Sequence, residues 1–204
     1  MDKIDFKKSL KRFYAPTSRD FEIVEVPAMR FVMIDGQGDP NSSASYAAAV
    51  GWLYAVSYAM KFASKAAALD YTVPPLEALW WSDDMADFSA GRRERWRWTV
   101  MLMVPDAVSQ AMVEAGRAKA SGKLGAAPES LRFARYDEGL AVQFLHVGSY
   151  ADEAPMIRRM HEEFIPGNGL TETGHHHEIY LSDPRRVVAE KLKTVVRQPV
   201  RRLV

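Results

Sequence analysis

The chain has 204 residues, 48% of them hydrophobic, with 27 Lys and Arg against 26 Asp and Glu, a net charge of +1 and no cysteine. A chain of this size buries about 70% of its unfolded surface, enough for a core without covalent staples, and so ordinary a composition excludes disordered, collagen-like and mucin-like classes. The absence of cysteine excludes disulfides, thiolate nucleophiles, iron-sulfur ligation and cysteine zinc sites, while the balanced charge offers no global field for nucleic acid or an anionic membrane.

The first twenty residues are basic but lack the apolar core and small-residue cleavage site of a signal peptide, so a cytoplasmic location is expected. Phe21 to Val26 and Met29 to Asp35 read as two strands joined by a tight turn at Val26-Pro27-Ala28. Gly36-Gln37-Gly38-Asp39-Pro40 stops the second strand, and Asn41, Ser42 or Ser43 caps a helix running to about Lys65. Its apolar stretch is too short for the roughly 20 residues of a bilayer span. With aromatics at Tyr46, Trp52, Tyr54, Tyr58 and Phe62, this helix must be covered on most sides or line a cavity.

Leu76 to Trp81 reads as a strand, and Arg95 to Val104 as another, with Trp96 and Trp98 on one face and Arg95, Arg97 and Thr99 on the other. Pro105-Asp106 opens a helix to about Ala120, with Val108, Met112 and Ala115 at helical spacing and Ser121-Gly122 as its stop. Leu131 to Tyr136 and Leu140 to Val147 flank the hairpin signal Asp137-Glu138-Gly139. Ala154 to Phe164 is helical, Gly167 to Gly174 a turn-rich loop and His176 to Leu181 a strand closed by Asp183-Pro184. Arg185 to Lys191 forms a helical turn or two, and Lys193 to Val200 is the last strand.

Hairpin, helix, strand, strand thus occupies about 21 to 104 and again about 130 to 200, with the helix near 106 to 120 as connector. The order predicts one α+β domain over 1–204. Its duplicated hairpin-helix-strand-strand unit would form two four-stranded antiparallel sheets, each with a helix on one face. Pseudo-two-fold symmetry would place a ligand cleft at the centre.

Several segments carry a family resemblance. FKKSLKRFYAP followed by EIVEVPAMRFVMIDGQGDPN, then LEALWW, then HVGSYADEAPMIRRMHEEFI with HHHEIYLSDPRR, resemble the GyrI-like small-molecule-binding proteins in order and over nearly the whole chain. The resemblance implies the duplicated fold and a cleft for bulky, aromatic, often cationic compounds. Relatives include the drug-sensing domains of multidrug-responsive transcription activators and cyclopropanoid cyclopropyl hydrolases, which open the strained ring of DNA-alkylating natural products. No DNA-binding helix-turn-helix with its own core precedes Phe21, so the transcription-factor architecture is not expected.

Alternation puts Glu178 on the strand face of His176 and Tyr180, opposite Ile179 and Leu181. Pattern alone makes this a polar outer surface. The resemblance instead implies a glutamate pointing into the cleft, where desolvation among aromatics would make it a partner for cations or a general base, with a tyrosine such as Tyr180 or a second acid as proton donor. Tyr54, Tyr58, Trp80, Trp81, Trp96 and Trp98 are core by base rate, yet adjacent Trp80 and Trp81 must point to opposite faces, so one is available for stacking. Glu77 shares a face with Leu79 and Trp81, and is either exposed or a second cleft acid. Phe144, His146 and Tyr150 complete the candidate lining, although His146, on the face of Val142 and Phe144, also reads as a packed core histidine.

His175 and His177 share a face but lack a third ligand at fixed spacing, since nothing sets the approach of His161; no metal and no cofactor are expected. Glu153 falls on a helix whose acidic residues are expected to be solvated. The basic tail, from Arg185 to Arg202, reads as a solvated surface, and no phosphate-binding glycine loop is present. Three readings stand side by side. One is a protein that sequesters or senses aromatic compounds, with no nucleic-acid or membrane partner; another is a hydrolase with Glu178 activating water. The third is an interaction module for a macromolecular partner, as some relatives are for topoisomerase.

Overall fold

The computed structural model describes residues 3–84 and 86–203. Among the described residues, nine strands form one antiparallel sheet: β1 (Glu22–Val26), β2 (Met29–Gln37), β3 (Leu76–Trp81), β4 (Arg97–Val104), β5 (Arg132–Tyr136), β6 (Gly139–Val147), β7 (Leu170–Glu172), β8 (His176–Tyr180) and β9 (Lys193–Arg202). Their order is β1-β6-β9-β8-β3-β4-β2-β5, with β7 added on β9. Counted outward from the β8/β3 junction the order is symmetrical, because β3, β4, β2, β5 on one side mirrors β8, β9, β6, β1 on the other. This is the duplicated α+β fold that the element order implies.

The structure adds two features to that expectation. The two units are fused into one curled sheet by the pairing of Leu76–Trp80 with His176–Tyr180. The expected hairpins are crossovers, since β1 pairs with β6 and β5 with β2, so each unit lends its first strand to the other. Turn residues at 27–28 and 137–138 reverse the chain without specifying which strands then pair. Glu138 at the second corner is buried, tied to the sheet interior rather than to a solvent turn.

The long helix α3 (Ala44–Ala66) starts where the Ser43 hydroxyl accepts the Tyr46 N–H at 3.3 Å. It buries Ala49, Trp52, Leu53, Val56 and Met60 against Ala78, Val100 and Leu102 of the sheet. The connector helix, Gln110–Leu124, lies beside it and differs from the sequence expectation at both ends. Ser109 caps it, and Gly125, at φ +88°, terminates it. Its buried face is Val113, Gly116 and Ala120, while Ala115 is exposed. Gly116 permits this packing: a Cβ there would lie 3.2 Å from the Val56 carbonyl oxygen. Gly36, expected to serve a turn, lies inside β2, where a Cβ would sit 2.1 Å from the Trp98 ring.

In the second unit the helix runs as Ala154–Arg159, a π turn at Met160–Phe164 and a final turn at Ile165–Gly167. The expected loop at 167 to 174 contains β7. Among the described residues, no helix is long and apolar enough to cross a membrane.

The sheet face opposite α3 carries Phe31, Met33, Leu79, Met101, Ile179 and Val195. Two short N-terminal helices, α1 (Phe6–Ser9) and α2 (Lys11–Tyr14), for which the sequence reading made no assignment, cover it with Phe6, Leu10, Phe13 and Tyr14. A buried polar chain runs beneath them. The Tyr14 hydroxyl donates to Glu77 at 2.8 Å, His177 bridges Glu77 at 3.1 Å and Glu138 at 2.8 Å, and Arg197 donates to Glu138 at 2.8 Å and to the Phe13 carbonyl at 3.0 Å. Burial alone would lower the His177 pKa, but Glu138 and Glu77 push it up to about 9. Burial alone would raise Glu138, but His177 and Arg197 hold it at about 2. Two cations and two carboxylates therefore balance inside the core.

Candidate functional site

Alternation along β3 and β8 delivers the site. Leu76, Ala78 and Trp80 stand opposite Tyr180, Glu178 and His176, and these side chains share the α3 side of the sheet. Between them and α3 opens a cleft of about 2190 Å³, bordered by the β3–β4 loop and by residues 149 to 154 and 181 to 186.

Trp80 resolves the choice between the adjacent tryptophans. Its ring stacks on Tyr46 at 5.9 Å and meets Trp96 edge-on at 6.0 Å, and Trp96 stacks on Phe88 at 4.7 Å. Trp81 belongs to the opposite face and reaches only the rim, where its ring stacks on His175 at 4.3 Å. Tyr54 and Tyr58 line the helix side of the cleft, 6.3 Å apart, and Tyr150 stands across from them, edge-on to Tyr180 at 5.8 Å. The cleft is thus walled by aromatic faces at several orientations, able to stack on a planar guest or to surround a cation.

Two carboxyl groups enter this wall. Glu178 accepts the Tyr180 hydroxyl at 2.8 Å, the Trp80 indole N–H donates to that hydroxyl at 3.1 Å, and the other Glu178 oxygen lies 3.3 Å from His176 Nε2. Burial and then the Glu178 charge raise the Tyr180 hydroxyl well above its ordinary range, so it stays protonated and fixes the carboxylate. Burial likewise pushes Tyr150 up to about 12.

The second carboxyl group is Glu153, and here the sequence expectation is corrected. Instead of being solvated, Glu153 is 3% exposed and lines the cleft, and its Oε1 has no hydrogen-bond partner. Burial and the negative charge of Glu178 push it up to about 9, so it is a neutral acid at pH 7. Its backbone sits at the helix start, with Pro155 in the first turn, and its side chain makes no capping hydrogen bond.

Four candidates fall outside the cleft. Glu77 is neither exposed nor a cleft acid: it is fully buried on the opposite face with Tyr14 and His177, because the N-terminal helices cover that face. Trp98 is core, lodged against Gly36 and edge-on to Tyr46 at 5.1 Å. Phe144 packs edge-on against Phe21 at 5.5 Å beneath the second helix. His146 is buried and lies 2.9 Å from the Ser149 carbonyl, pinning the end of β6.

The three consecutive histidines separate by alternation and position. His175 stacks on Trp81, His176 faces the cleft and His177 sits in the core network. Among the described residues, no group of three His, Asp or Glu is placed to hold a metal ion. Besides Glu153, the sequence reading assigned no site role to Tyr46 and Phe88, whereas Trp96 stood in its aromatic set and does line the cleft. A signal existed for Tyr46, which shares a helix face with Val50, Tyr54 and Tyr58 by successive four-residue steps.

Comparison with known proteins agrees with this architecture. A structure described as an uncharacterized conserved protein from Listeria innocua is 40% identical, with a TM-score of 0.87, over 98% of this chain and 100% of that one. A second, described as a hydrolase from Listeria innocua, is 40% identical with a TM-score of 0.84 over the same shares. The C-terminal domain of EcmrR shares the fold at a TM-score of 0.59, with 11% identity over 90% of this chain and 98% of that domain. No curated protein is similar in sequence. The family model described as the GyrI-like small molecule binding domain matches residues 19–201, and the chain belongs to this family.

Proposed function

We propose that the chain binds bulky, lipophilic aromatic small molecules, cationic ones included, and removes them from circulation in the cytoplasm by sequestration or detoxification. The observation that carries this reading is a fixed carboxylate set in an aromatic wall: Glu178, held by Tyr180 and, through it, by Trp80. Stacking supplies affinity for any planar guest, and the carboxylate adds selectivity for a positive one. Glu178→Gln keeps the side-chain volume and removes the charge. Calorimetry should then show at least a tenfold loss of affinity for a planar cation such as ethidium, about 1.4 kcal/mol, and little change for a neutral polycyclic ligand. Equal losses for both ligands would remove the carboxylate from the reading.

Hydrolysis is the second reading, favoured by a buried acid with a raised pKa, Glu153, in the same cleft as Glu178, and supported by the 40% identical relative described as a hydrolase. Glu178 would take a proton from water while Glu153, still protonated, gives one to the oxygen that receives the displaced electron pair. In a cyclopropane-fused cyclohexadienone, the water oxygen bonds to a ring carbon and the strained C–C bond breaks. Its electrons pass to the dienone oxygen, which Glu153 protonates. Tyr180 orients Glu178 and keeps its own proton. Incubation with such a compound, followed by product mass, separates the two readings: a product heavier by one water establishes the hydrolase, and saturable binding with no product leaves a binding protein.

A further inference from the structure

Four acids are buried among the described residues, and three of them are answered by donors of the fold itself. Glu138 receives Arg197 and His177, Glu77 receives Tyr14 and His177, and Asp87 accepts from Ser82 and Arg92. Glu153 is the exception. Its Oε1 has no hydrogen-bond partner, and no Lys, Arg or His among the described residues offsets its burial. A buried polar atom left in that state is costly, and this one borders the cleft. The groups that face it are Glu178 on β8, the Thr194 hydroxyl on β9 and Tyr150 on its own segment. Because the Tyr150 ring is edge-on to Tyr180, which holds Glu178, the two acids flank one aromatic pair. The cleft, at about 2190 Å³, exceeds the roughly 300–1,000 Å³ of an ordinary small-molecule site, so it has room for a guest that reaches both.

We propose that Glu153 seats a second positive charge, so that the preferred guests of this cleft are aromatic dications, with one charge at Glu178 and the other at Glu153. This rests on the binding reading above. In the free protein, burial and the Glu178 charge raise Glu153 to about 9, so at pH 8 it still carries a proton. A cation gains little from a protonated carboxyl group. As the guest enters, Glu153 therefore gives its proton to the buffer, and two carboxylates then face two positive charges. Binding that releases a proton strengthens as pH rises, up to the pKa of the group in the free protein. Tyr150, pushed up to about 12, keeps its proton throughout.

Ethidium and propidium share a phenanthridinium ring, and propidium adds a quaternary ammonium on a short tail; neither of these charges titrates. Calorimetry on the native protein at pH 8, in two buffers of different ionisation enthalpy, should count about one proton released per propidium and much less per ethidium. Between pH 7.5 and 8.5, above the ordinary histidine range, propidium affinity should rise by about tenfold while ethidium affinity changes little. Glu153→Gln should abolish both the proton release and the rise, a comparison that also cancels any part played by His161, His175 and His176, which line the same cleft. Propidium binding without proton release, or equal release by the two dyes, would overturn the second seat and leave the binding reading standing, since ethidium would still be held. Release that persists in Glu153→Gln would assign the proton to another group and overturn it too. If neither dye bound the native protein, the binding reading would fall and the second seat with it.

Discussion

Glu153 and Glu178 are chemically the same residue, yet burial beside Glu178 holds Glu153 well above the ordinary glutamate range. Glu178 is bonded to Tyr180, which Trp80 bonds in turn, and to His176, whereas Glu153 is buried with an unpartnered oxygen beside the Glu178 charge. This has a measurable sign. The native pKa of Glu153 is raised to about 9, so its contribution to stability is full below the ordinary glutamate pKa and is lost as pH rises through about 9. Denaturant unfolding between pH 5 and 9 should show the native protein losing stability as pH rises, with His177 contributing in the same direction, and Glu153→Gln should reduce that slope without abolishing it. An identical slope in the variant would mean that Glu153 is ionised in the native state. Sequence could not reveal this, because acidic residues at helix starts are ordinarily solvated and stabilising.

At the scale of elements, β8 does two jobs through its alternation. His176, Glu178 and Tyr180 build the cleft wall while His177 and Ile179 face the opposite core. The alternation was legible from the sequence, and so were α3, β3 and the face shared by Glu178 and Tyr180. What lay on the far side was not legible, because it depends on residues distant in sequence: Tyr14, Glu138 and Arg197 meet His177 and Glu77 only after the strands pair. Removing the central cation by His177→Leu leaves two buried carboxylates against one arginine, and should cost about 3–5 kcal/mol in denaturant unfolding. A variant as stable as native would show that the network is dispensable. On the other side of the sheet, Gly36→Ala places a Cβ where the Trp98 ring lies, and should destabilise by about 1–3 kcal/mol. Gly51→Ala, in an open position on α3, should cost nothing and favour the helix.

For the whole molecule, duplication explains why the site lies where it does. The repeated element order could be read from the sequence, and it placed the cleft at the pseudo-two-fold, where β3 and β8 meet. The exchange of first strands was not readable, because a two-residue link satisfies a hairpin and a crossover equally well. Trp98, Phe144 and His146 were misplaced for a related reason: strand alternation assigns a face, but whether that face meets a helix or a cavity depends on how far each helix reaches. The most direct test of the account is a tryptophan emission titration with ethidium, run on the native protein and on Trp80→Phe. Saturable quenching is expected in the native protein, and a smaller amplitude with weaker affinity in the variant, because Trp80 anchors the cleft wall beside Glu178. Ethidium binding verified by calorimetry with no change in native emission, or with the same quenching in Trp80→Phe, would contradict it.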